Sequence, residues 1–260
     1  MEKDQILSAG LKVSSHINVD DTAARHQGKN GYCTHIGNEL FSFFESTQSK
    51  SRINFLNLLR AGHSDYCLNI DAIAYMQANK LPQSVLDPIM AHLGHIFADD
   101  RQWNGFLAQR GIVTDRHMQI ATEGALIGSV IEHGLCDNLT IISDDAGQFN
   151  ILVHALCWVH AERLIAKIVP LTDEQKKDLD TVRDKIWKLY QGLKKYKQNP
   201  RGKAKVRLQS RFDQIFTNLQ RNVLQFVAFA AVDFYPVDAE AGADTVQDIS
   251  TGTRGHQFFD

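Results

Sequence analysis

The sequence predicts a mixed α/β fold: short strands near 16–20, 32–37, 40–45 and 139–143 form a sheet flanked by helices. Three observations predict it. His16 to Asp20 alternates, with Ile17 and Val19 on one side and His16, Asn18 and Asp20 on the other. Gly28 to Gly31, containing Asn30-Gly31, sits between two such runs and is a hairpin turn signal. Leu139-Thr140-Ile141-Ile142-Ser143 is a short β-branched run that ends in Asp144-Asp145 and then Gly147, as a buried strand would.

The elements follow in order. Tyr32 to Gly37 and Leu40 to Glu45 continue the hairpin into three antiparallel strands. Ser51 is placed as the N-cap of a short buried helix carrying Ile53, Phe55, Leu56, Leu58 and Leu59. Residues 65–133 read as a helical insertion, broken at Pro82, Pro88, Gly94 and Gly111, whose last helix covers 119–133 and stops at Gly134. His154 to Lys167 reads as helix. Thr172 to Tyr196 is a long amphipathic helix in which Thr172 and Gln175 form a capping box. Asn199-Pro200-Arg201-Gly202 breaks it, and a second helix with Leu208, Phe212, Ile215, Phe216 and Leu219 on one face makes an antiparallel pair over 172–221. The expected organisation is a core over 1–171, this hairpin over 172–221 and a divergent tail over 222–260.

Composition narrows the function classes. With 260 residues, 43% hydrophobic content and net charge -2, the chain can bury a core, and intrinsic disorder is excluded. The longest apolar stretch, Val223 to Val232, is interrupted by Gln225 and is too short for a membrane span, which needs roughly 20 residues. Met1 to Gly10 carries Glu2, Lys3 and Asp4 and has no secretory apolar region. Cys33, Cys67, Cys136 and Cys157 form no CxxC, so a reduced, cytoplasmic setting is expected. The charge is uneven: residues 160–221 hold 16 lysines and arginines against seven acids, whereas residues 222–260 hold one basic residue and six acids. Lys194, Lys195, Lys197, Arg201, Lys203, Lys205, Arg207 and Arg211 crowd one short stretch, which suits either phosphate contact or a solvated helix face.

Two predicted strands lead into acid pairs, Asp20-Asp21 and Asp144-Asp145. Carboxylates at the ends of neighbouring strands can hold Mg²⁺ or Mn²⁺ for phosphodiester chemistry. The alternative is local capping of the strand ends by aspartate, and the choice within each pair stays open. Cys157 and His160 share a helix face, with His154 nearby. A zinc-binding interaction module could be built on these three, although a packed cysteine and a hydrogen-bonded histidine account for them as well.

In order, Val19-Asp20-Asp21-Thr22, Ser143-Asp144-Asp145-Ala146-Gly147-Gln148-Phe149 and Cys157-Trp158-Val159-His160-Ala161-Glu162-Arg163 resemble the DDE transposases of the insertion-sequence family numbered sixty-six. That family carries Asp-Glu-Thr on its first strand, Asp-Gly-Tyr-x-Gly-Tyr after the fourth, and a Cys-Trp-x-His-x-x-Arg helix. Ser51-Arg52 also resembles its Ser-Arg segment. The resemblance covers about residues 14–60 and 120–221. It implies a ribonuclease H-like sheet, Mg²⁺ or Mn²⁺ as cofactor, and strand cleavage and transfer in DNA transposition. Asp20 and Asp144 would be the catalytic metal ligands, with Asp21 and Asp145 as weaker candidates. Cys157 and His160 would orient the DNA, and the basic stretch from Lys194 to Arg207 would bind it. The expected partners are transposon ends and target DNA, with self-association left open and no membrane.

The family's third acid, a Glu followed by Arg in an Asn-rich stretch, has no counterpart after Arg163, where only Glu174 and Glu240 occur. Together with the charge reversal after Arg221, this predicts a transposase remnant, shortened at both ends, with little or no activity. A non-catalytic nucleic-acid-binding protein is the alternative.

Overall fold

A computed structural model describes residues 2–26, 28–135 and 139–216. The chain is mixed α/β: five strands form a mixed sheet in the order β3-β2-β1-β6-β7, flanked by helices. These strands are β1 (His16–His26), β2 (Lys29–Gly37), β3 (Ser42–Thr47), β6 (Thr140–Ser143) and β7 (Val153–Leu156). A two-stranded ladder, β4 (Tyr66–Cys67) with β5 (Ile96–Phe97), lies within the helical insertion. Among the described residues no helix is long and apolar enough to cross a membrane. The chain divides into two compact units, one of residues 1–141 with 146–151, the other of residues 142–145 and 152 onward.

In the first unit, β1 and β2 are antiparallel with Val19 opposite Ile36 and Asp21 opposite Thr34; β3 continues the ladder on β2. Alternation puts Ile17, Val19 and Ile36 into the core. Helix α1 (Glu2–Val13) adds Leu7 and Leu11 to it, an element the sequence reading did not anticipate. The predicted cap at Ser51 is present: its hydroxyl accepts from Asn54 N–H at 3.2 Å and starts α2 (Arg52–Leu59). The insertion supplies α3 (Ile70–Ala78), α4 (Gln83–Met90), α5 (Asp100–Gln109) and α6 (Asp115–Glu132). Pro88 does not break the insertion as expected but lies inside α4, two residues from its end, where only one helical hydrogen bond is lost.

Helix α6 is buried along most of its length because two small residues let it approach other backbone. A Cβ on Gly128 would stand 2.2 Å from the Cys67 carbonyl oxygen and 3.0 Å from Asn69 Oδ1, so backbone would have to move to admit it. Gly128→Ala should therefore lower the unfolding free energy by about 1–3 kcal/mol. The check is the urea midpoint; a change smaller than roughly 0.5 kcal/mol would show that α6 slides freely.

In the second unit, the span read as one helix from His154 to Lys167 is instead β7 followed by α7 (Trp158–Ala166), with Cys157 as N-cap. The apolar run from Ile151 to Val159 fits either period. Leu152, at φ +55°, redirects the chain into an edge strand before the helix begins. Helix α8 (Asp173–Gln198) starts at the predicted capping box of Thr172 and Gln175. Helix α9 (Gly202–Phe216) folds back on it, with Leu208 against Gly192, seven residues before the break. Leu179, Val182, Ile186, Leu189, Leu193, Leu208 and Ile215 close a separate small core with Trp158 and Ile165. The tail expected over 222–260 and Leu219 lie outside the described residues.

Candidate functional site

The pleat separates the two acids of the first pair. Asp20 follows buried Val19 on the opposite face of β1, is exposed, and sits opposite His35 in the register. Asp21 points to the core side and is half-buried. Its Oδ1 accepts from Thr34 Oγ1 at 2.5 Å and its Oδ2 accepts from Gln148 Nε2 at 3.0 Å. Lys50 Nζ donates to the Asp21 carbonyl at 3.2 Å. The alternation therefore gives Asp21, not Asp20, its polar partners, Thr34 on β2 and Gln148 in the loop that follows β6.

That loop is held from behind. Gly147–Phe149 form a single 3-10 turn whose Phe149 ring is buried and meets Phe55 edge-on at 5.0 Å. Arg52, the first residue of α2, donates to the Gly147 carbonyl, to Tyr75 Oη at 2.9 Å and to Glu123 Oε2 at 3.4 Å. Tyr75 also donates to Glu123, and Gln119 Nε2 donates to Glu123 Oε1 at 2.9 Å. Burial first, then the Glu123 carboxylate, push the Tyr75 hydroxyl far above its usual range, so it remains a donor.

In the second unit, β6 leads into Asp144, half-buried, and Asp145, exposed at its side chain. Desolvation, followed by the adjacent Asp144 charge, raises the Asp145 carboxyl above the ordinary carboxylate range. The end of β6 is pinned: Ser143 Oγ is 2.8 Å from His154 Nε2, and Cys157 N–H donates to the Ser143 carbonyl at 2.8 Å. His154 thus lies on β7 and is engaged with Ser143. The three residues considered for zinc, His154, Cys157 and His160, are not among the converging ligand groups of the described residues. His160 Nδ1 is buried without a hydrogen-bond partner among the described residues. Glu162, the acid of the Glu-Arg pair on α7, is buried and accepts from Arg183 Nε at 2.6 Å, which assigns it to the packing of α7 on α8.

Lys194, Lys195 and Lys197 in the last turns of α8, and Arg201, Lys203 and Arg207 at the start of α9, are exposed around one helix–helix turn; Lys205 is half-buried. Lys194 lies over the Tyr190 ring at 4.8 Å. Sequence reading missed one cluster altogether: His63, Asp65 and His133, whose ligand atoms all lie within 4.8 Å of one another. The short His63-x-Asp65 spacing was the visible half of the signal; His133 is 68 residues from Asp65 and no local pattern points to it.

No family model matches the chain, and no solved structure matches it. The chain is 40% identical over 214 residues to the uncharacterized protein y4jO of Sinorhizobium fredii (strain NBRC 101917 / NGR234), covering 82% of this chain and 67% of that protein. At that identity and coverage the chain belongs to the same family as y4jO.

Proposed function

We propose that the chain is a DDE-type DNA transposase of the insertion-sequence kind, with a ribonuclease H-like core that cleaves and transfers DNA strands. One observation carries the reading: β1, which bears Asp20-Asp21, is the sheet neighbour of β6, which runs directly into Asp144-Asp145. Thr140 N–H donates to the Ser15 carbonyl at 2.9 Å, so the two strands start level.

The donor set fits Mg²⁺ or Mn²⁺, because all four candidates offer hard carboxylate oxygens. Asp21 keeps acceptor capacity beyond its bonds to Thr34 and Gln148, since an ionised carboxylate has about four lone-pair sites. On β1 Asp21 would be the ligand offered to the cations, Asp20 lying on the opposite face, and after β6 Asp144 would be, with Asp145 next to it. When bound, the cations activate the attacking oxygen and neutralise charge at phosphorus. The protein's own residues do the positioning. Thr34 and Gln148 fix the Asp21 carboxylate. Arg52 anchors the Gly147 carbonyl, and the Cys157 N–H anchors the end of β6. The exposed basic residues of the α8–α9 turn would contact phosphates. Slow turnover is proposed, because in this sequence neither Glu174 nor Glu240 is followed by an arginine as the third acid would be.

The test is Mn²⁺-dependent strand cleavage and transfer on DNA, alongside gel-shift binding. The wild-type chain should cleave slowly, and Asp144→Asn and Asp21→Asn should each reduce cleavage to the level of DNA alone while binding persists. Lys203→Ala with Arg207→Ala should weaken binding and flatten its salt dependence. Metal-dependent cleavage that survives in Asp144→Asn would overturn the transposase reading. Binding without any metal-dependent cleavage in the wild type would establish the non-catalytic nucleic-acid-binding reading that the exposed basic turn also favours.

A further inference from the structure

The helical insertion carries a ligand set of a different chemistry from the acid pairs. Helix α2 ends at Leu59, and Ala61 and Gly62 both take positive φ, +49° and +90°. This reverses the chain and delivers His63 and Asp65 to the end of α6, where His133 is the C-cap and Gly134, at φ +83°, turns the chain away. A non-glycine residue in the left-handed region is strained, and strain of this kind gathers at sites that need a fixed geometry. The His63 and His133 rings stack at 3.5 Å with 10° between their planes. His133 Nε2 is 2.8 Å from Asp65 Oδ1. Arg60 Nη1 donates to the Asp65 carbonyl at 2.7 Å, so the segment bearing the carboxylate is itself anchored.

We propose that His63, Asp65 and His133 form a binding site for one zinc-class divalent cation, with an open fourth position. The three ligand atoms fall within 4.8 Å of one another and one pair is already at 2.8 Å. A tetrahedral ion with ligands at about 2.0–2.2 Å separates them by roughly 3.3–3.6 Å, between the 2.8 Å of the closest pair and the 4.8 Å that encloses all three. Two imidazoles and one carboxylate select zinc or a neighbouring transition metal over Mg²⁺. His63 is the exposed member, which leaves the fourth position to water. The ion would clip the turn after α2 to the end of α6, two segments that the chain joins only through the whole insertion.

The test uses the full chain, stripped with EDTA and titrated with Zn²⁺ by calorimetry, with thermal melts in parallel. One equivalent should bind, and the melting temperature should rise with Zn²⁺ and fall again with EDTA. His63→Gln, at an exposed position, should fold normally by circular dichroism yet lose more than roughly tenfold in affinity. His133→Gln should do the same, and the double variant should not bind. Asp21→Asn with Asp144→Asn should leave zinc affinity unchanged, which separates this site from the acid pairs. No uptake by the wild type, or undiminished uptake in His63→Gln with His133→Gln, would overturn the proposal and leave a hydrogen-bonded triad only.

Discussion

Trp103→Ala should destabilise the first unit by about 4–5 kcal/mol, the upper part of the range for truncating a buried large aromatic. Trp103 is completely buried. Its ring stacks on Tyr66 at 5.6 Å and on Phe106 at 5.7 Å, and meets Phe97 at 5.2 Å. Its Nε1–H donates to Thr122 Oγ1 at 3.0 Å. Truncation opens a cavity between α5, the β4–β5 ladder and α6, removes three aromatic contacts, and takes a donor from a hydroxyl on α6. Collapse cannot fill the space easily, because Gly124 and Gly128 already hold α6 at close range. Trp103→Phe keeps part of the stack and should cost about 1–3 kcal/mol. Urea unfolding at constant m-value measures both, and a loss below roughly 2 kcal/mol for the alanine variant would show that the ladder is not part of the cooperative core.

Arg52→Met should cost about 3 kcal/mol, lowering the melting temperature by roughly 6–12 °C. The reason is the carboxylate it leaves behind. The Glu123 side chain is only 3% exposed, and Arg52, 23% exposed, is its cationic neighbour at 3.4 Å. Tyr75 and Gln119 still donate to Glu123 after the change, which keeps the expected loss at the lower end for a broken buried pair. Adding Glu123→Gln should recover much of the loss, since an amide needs no counter-charge; additive losses in the double variant would refute the pairing. Arg52 also holds the Gly147 carbonyl, so the single variant should loosen the turn that brings Gln148 to Asp21. Faster amide exchange in 146–151, without a matching change in the α8–α9 hairpin, is the local readout.

How far the candidate site could be read in advance differs residue by residue. Asp20-Asp21 and Asp144-Asp145 stood out because each pair follows an apolar strand pattern, a signal contained in a few adjacent residues. Which acid of the first pair meets the loop after β6 was not legible. A one-residue shift in the pleat exchanges the faces, and only the packed sheet sets it. With Val19 buried against Ile36, Asp21 receives Thr34 and Gln148, and Asp20 faces the other way beside His35. His154–Leu156 was read as the start of a helix because the mainly apolar run around it satisfies both periods; pairing in the sheet decides it. Glu162 could not be assigned without knowing that Arg183, 21 residues on, closes over it.

By itself the sequence determined that the first two strands form a hairpin, although the chain turns between His26 and Lys29 and Asn30-Gly31, expected at the turn, lie within β2 opposite Arg25 and Ala24; it also determined the capped starts at Ser51 and Thr172, the buried strand before Asp144 and the basic turn after Tyr196. These rest on interactions spanning about four residues, whose energetics local chemistry sets. Tertiary structure alone decided the placement of β6 beside β1, the inward face of Asp21, the Arg52–Glu123–Tyr75 network and the meeting of His63 and Asp65 with His133. Each of those joins residues tens of positions apart. Burial of the apolar faces brings them together, and no pattern along the chain encodes the partner.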